Sequence, residues 1–120
     1  MAERYLALNE KYLRDGAELL RNGDYVQGGE KYWGAVATAI KVVATARDLR
    51  HAGHRDLRFV MKTLGLETGD DEYLILFRAA ERLHENFYED RLDETTVRQF
   101  TEQAARLVRK LEVIGRDVRR

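Results

Sequence analysis

Between Asp24 and about Arg50, Val26, Gly29, Trp33, Val36, Ile40 and Val43 recur at spacings of three and four. That spacing marks one apolar stripe along a helix. Tyr25, Tyr32, Ala37, Ala39 and Ala44 widen the stripe beyond what a surface helix carries. The pattern predicts an inner helix of a bundle over 24–52, with Asp24 as N-cap and Gln27 three residues on in a capping-box arrangement.

The other segments keep the same period. A first helix over 3–22 presents Tyr5, Leu8, Tyr12 and Leu19, flanked by Leu6, Leu13, Ala17 and Leu20. Gly23 then stands at a C-cap position, and so short a turn predicts an antiparallel hairpin. A shorter helix over 54–64 turns Leu57, Val60, Met61 and Leu64 inward, with Gly65 as its cap and Leu66 packing back. A fourth over 71–89 carries Tyr73, Phe77, Ala80, His84 and Phe87 on one line, capped by Asp70 or Asp71. The fifth, over 93–114, is capped by Asp93 and ended by Gly115, leaving Arg116–Arg120 as a frayed tail. The expected fold is all-α: one domain, an up-and-down bundle of four to five helices.

Composition narrows the function classes. The chain of 120 residues contains no Pro and no Cys, which permits long helices and excludes disulfides and thiolate metal sites. No apolar run approaches the ~18 residues of a membrane span, and no signal peptide is visible. These features point to a soluble, cytoplasmic protein with no membrane partner. The 21 basic and 21 acidic residues cancel overall, and an Arg-rich composition fits a heat-adapted (thermophile) protein using surface ion pairs. Locally they do not cancel: residues 67–94 hold ten acids against three bases, and 95–120 hold seven bases against three acids. Such segments are expected to neutralise each other within the bundle or across a dimer.

Three stretches carry a family resemblance: LLRNGDYVQGGEKYWGAVATAIKVVA, GHRDLRFVMKTLG and AAERLHENFYED. They resemble the HEPN superfamily of small helical proteins, and within it the archaeal PaREP family, where a HxNFYE-like stretch recurs. The resemblance implies a four- or five-helix bundle, commonly homodimeric. Some HEPN proteins are metal-independent endoribonucleases, often paired with a small nucleotidyltransferase. Active members carry Arg, four to six residues and then His, which here selects Arg78 and His84. Ala79 stands where active members usually place Asn, Asp or His.

Metal-free RNA cleavage needs an acid or base near the 2′-hydroxyl and a cation at the phosphate, roles suited to His and Arg. On one helix, however, Arg78 and His84 lie ~120° apart around the axis and ~9 Å apart along it. The bland alternative pairs Arg78 with Glu81 on a solvated face and leaves His84 at the core edge. A second basic cluster holds Arg47, Arg50, His51, His54, Arg55 and Arg58. If the helix runs past His51, Arg47 and His54 share a face and form an anion pocket; otherwise they are cations at a helix C-terminus. Asn86 and Tyr88, beside His84, complete the candidate binding residues. No zinc spacing, phosphate loop or nucleophile elbow is present, so neither metal nor cofactor is expected.

The expected function is an interaction module contacting RNA or nucleotide. The alternatives are a ribonuclease using Arg78 and His84, and a non-catalytic partner of a nucleotidyltransferase. If a site exists, it is expected to be composite, with the 47–58 residues or the last helix supplying anion contacts.

Overall fold

The computed structural model describes residues 2–119, with side chains through 115. Five helices follow in order: α1 Ala2–Arg21, α2 Tyr25–Ala46, α3 His54–Thr68, α4 Glu72–Glu89 and α5 Glu94–Arg119. The fold is the expected all-α bundle, and no described helix is long and apolar enough to cross a membrane. The helix α2 is its inner member, packing on α1, α3, α4 and α5. Val36, Ile40 and Val43 are fully buried against Met61, Leu64, Phe77, Leu83, Leu107 and Leu111. This interdigitated apolar core is the main source of stability.

The α1–α2 hairpin is held by small residues. A Cβ on Gly16 would meet the Tyr32 ring at 2.9 Å, and one on Gly28 would meet Leu20 at 2.9 Å. The two helices therefore approach more closely than side chains would allow. Gly23, at φ 82°, closes α1 by a Schellman turn: Asp24 N–H bonds the Leu19 carbonyl at 2.8 Å and Gly23 N–H bonds that of Leu20 at 3.1 Å. The Asp24 carboxylate then accepts from Gln27 N–H, as expected of the N-cap.

Three element ends differ from expectation. The helix α2 stops at Ala46, not 52, because a second Schellman turn closes it. Leu49 N–H bonds the Ala44 carbonyl and Asp48 N–H that of Thr45, with Asp48 at φ 58°. Leu49 then packs on the core, so Arg47 and His54 do not share a helical face. The helix α3 runs on through Gly65 to Thr68. Gly69, at φ 72°, is its left-handed cap, and Leu66 is 87% exposed instead of packing back. Gly65 lies against the Asp70 carbonyl, where a Cβ would come within 3.3 Å. Finally, α5 continues past Gly115 to Arg119, so those residues are helical; their side chains and Arg120 lie outside the described residues.

Part of the acidic segment pairs with the basic one within the chain. Lys110 bonds Asp70 and Glu72, and Arg106 bonds Glu72 at 2.9 Å, tying the start of α4 to α5. Arg98 holds Glu94, and Arg47 holds Glu67.

Candidate functional site

The residues Glu30, Trp33, Gly34, Ala37 and Lys41 fall on one face of α2 by helical spacing. That face forms the floor of a surface groove of about 370 Å³. Tyr5, Leu8 and Tyr12 of α1 line one side, and His84 of α4 lines the other. A second hollow of about 440 Å³ shares Tyr5 and Lys41 and continues the trough to Asp48, Arg50 and His51. From Glu30 to Lys41 the floor extends about 16 Å by helical rise.

Aromatic rings and cations alternate along this trough. The Lys31 ammonium lies 5.7 Å from the Tyr12 ring centroid, and that of Lys41 lies 5.8 Å from Tyr5. Tyr5 meets His51 edge-on at 5.8 Å, and His51 is fixed through Nδ1 to the Leu49 carbonyl at 2.9 Å. At the other end, Trp33 and His84 stack at 4.9 Å with an 18° interplanar angle. Tyr88 stands edge-on to His84 at 5.6 Å and is 75% exposed.

Two histidines meet at Trp33. His84 Nδ1–H donates to both Glu30 carboxylate oxygens, at 2.8 and 3.1 Å. His54, at the start of α3, lies 4.9 Å from Trp33 and 6.2 Å from His84, measured between ring centroids. Its Nε2–H donates to Glu81 at 2.7 Å. Each imidazole is thus oriented by a carboxylate through one ring nitrogen, which fixes the ring and places a proton on that nitrogen.

Glu81 is the hub of the second layer. Its side chain is 5% exposed and accepts from His54 and Arg58, with Arg78 at 3.6 Å. Burial raises the Glu81 carboxyl, but hydrogen bonds from Arg58 and His54 outweigh burial and leave it below the usual range. Glu30 shows the opposite balance: burial raises it, and the His84 hydrogen bond offsets this only in part.

The expected site residues divide into four groups. Arg50 and His51 line the far end of the trough; His54, His84 and Tyr88 gather at the Trp33 end. Arg78 does not converge with His84 directly: it bonds Glu85 at 2.9 Å and reaches the histidines only through Glu81. Arg47 and Asn86 serve the fold. Arg47 is the C-cap residue of α2 and bonds Glu67. Asn86 is buried, and its Oδ1 accepts from Arg91 and Leu92 N–H at 2.7 and 2.8 Å, closing α4. Sequence reasoning missed Glu30, Lys41, Tyr5 and Tyr12 as site residues. The signal was the Glu30–Ala37–Lys41 spacing, a polar-edged line beside the apolar stripe that Trp33 was assigned to. Among the described residues, no cluster of His, Asp and Glu could hold a metal ion.

The model of a family described as the archaeal PaREP1/PaREP8 family matches residues 4–108. No curated protein sequence matches the chain. A crystal structure of a protein from Sulfolobus solfataricus superposes with a TM-score of 0.76 at 29% identity, covering 94% of this chain and 97% of that one.

Proposed function

The chain belongs to the archaeal PaREP1/PaREP8 family, and we propose that it is a binding module for single-stranded RNA, with a single nucleotide as the smallest ligand. The trough along α2 carries this reading. Single strands are held by ring faces on which bases stack and by cations that track the phosphates. Tyr5, Tyr12, Trp33 and His51 supply rings, and Lys31, Lys41 and Arg50 supply charge. The acidic segment 67–94 contributes only His84 to the lining, so its carboxylates do not face the ligand. Glu30 and Asp48 are the acids of the lining.

The test is polarisation of a labelled single-stranded oligoribonucleotide against a duplex of equal length, in EDTA. Tight, salt-sensitive binding of the single strand supports the proposal. Equal or absent binding of both refutes it.

A ribonuclease is the second reading, favoured by the paired imidazoles. His54 and His84, each held by a carboxylate, are arranged as a base and an acid would be. Arg78 would then act through Glu81 and not on the phosphate. Metal-free cleavage lost in both His54→Ala and His84→Ala would establish it.

The proposal takes the protein as a cytoplasmic homodimer of HEPN type. Phe59 and Ile75, each 58% exposed on α3 and α4, are the side chains assigned to the contact between copies. Light scattering at micromolar concentration decides the oligomeric state.

A further inference from the structure

The floor of the trough holds a carboxylate that phosphate binding alone does not call for. Glu30 stands among Tyr12, Lys31, Trp33 and His84 in the lining, where its charge opposes a phosphate backbone. Its side chain is 21% exposed, and both oxygens accept the same His84 Nδ1–H, at 2.8 and 3.1 Å. That bond holds the carboxylate in place. It uses a single donor, and an ionised carboxylate has about four acceptor sites, so each oxygen can accept again. Two rings flank the group. Trp33 is three residues on along the same helix and is stacked on His84. A Cβ on Gly34 would come within 3.0 Å of Tyr12, so the Tyr12 ring rests on the floor one turn from Glu30. Lys41 lies about 16 Å farther along by helical rise.

The bases of RNA differ in what they offer a fixed carboxylate. Guanine alone carries two adjacent donors on its Watson–Crick edge, N1–H and the N2 amino group, which match two oxygens side by side. Adenine and cytosine set an amino donor beside a ring-nitrogen acceptor, which the second oxygen repels. Uracil sets its one N–H between two carbonyls. Unpaired bases are read on these edges while their faces stack on aromatic rings. We propose that Glu30 makes the trough selective for guanine, accepting N1–H and N2–H from a base stacked against Trp33 and Tyr12, with Lys41 on the phosphate side of the same strand. The inference rests on the reading of the trough as a single-stranded RNA site and adds a base preference to it. Hydrogen bonds from a base to an ionised acceptor are among the stronger ones. His84 is a positioning residue for the carboxylate.

The experiment is polarisation of labelled oligouridylates with the full chain at pH 7 in EDTA, each strand carrying one central guanosine, inosine or adenosine, beside the all-uridine strand. The guanosine strand should bind at least about tenfold tighter than the adenosine strand. Inosine, which lacks the N2 amino group, should fall between them. In Glu30→Gln the amide offers one donor and one acceptor, the complement of adenine's edge, so the preference should pass from guanosine to adenosine. A merely structural role for Glu30 would lower all affinities together. The guanosine, inosine, adenosine order in the wild type carries the test should the variant not fold. Equal affinity for all strands, or a guanosine preference that Glu30→Gln leaves unchanged, would overturn the inference while leaving the trough as an RNA site. Binding of none of the strands would overturn both.

Discussion

His54 and His84 stand 6.2 Å apart between ring centroids at the Trp33 indole, each held through one nitrogen by a glutamate from another helix. The two glutamates respond to pH with opposite sign. Glu81 titrates lower in the fold than in the unfolded chain. Its contribution is present above the ordinary value of 4.5 and is lost as pH falls through the lower folded value. Glu30 titrates higher, so its contribution is present below 4.5 and is lost as pH rises through the folded value. Glu81→Gln should therefore cost stability at pH 7 and cost less near pH 4. Glu30→Gln should compare better with wild type at pH 7 than at pH 4. Urea midpoints at both values check the pair of signs.

Trp33→Ala should destabilise by about 3 kcal/mol, toward the lower end for a large aromatic because the ring is only partly buried. It removes contacts to His54, Phe77 and His84 together. Urea denaturation followed by circular dichroism measures it, and an unchanged midpoint would remove Trp33 from the account of stability.

Asn86→Ala should cost about 2–3 kcal/mol, since it strands the Arg91 and Leu92 N–H groups that its Oδ1 accepts. RNA affinity of the folded variant should match wild type. A selective loss of binding with unchanged stability would return Asn86 to the site.

Much of the fold is legible along the chain, because α1, α4 and α5 are periodic. The end of α2 is not, since Asp48 adopts the left-handed conformation that Gly23 and Gly69 announce by their identity. Gly65 misleads for the converse reason: it is needed for close approach to Asp70, not for a turn. The site is less legible still. His84 and Arg78 stand out by type and spacing, but Glu30 meets His84 and Glu81 meets His54 only through tertiary packing. The period that placed Trp33 in the core stripe also hid its role as the platform for both histidines.

Asp48→Gly separates the two roles of one residue. Glycine adopts the left-handed turn more readily, so stability should rise by up to about 1 kcal/mol. The substitution also removes an acid from the trough lining, so affinity for single-stranded RNA should increase. Thermal melts and binding isotherms read the two effects independently.

The RNA-binding trough is tested most directly by the emission of Trp33, the only tryptophan of the chain. Titration with a single-stranded oligoribonucleotide should change that emission saturably. The affinity should fall as salt rises, and Lys31→Ala/Lys41→Ala should weaken it about tenfold or more while leaving the fold intact by circular dichroism. Emission that does not respond to the oligonucleotide, or an affinity that the double substitution leaves unchanged, would contradict the account.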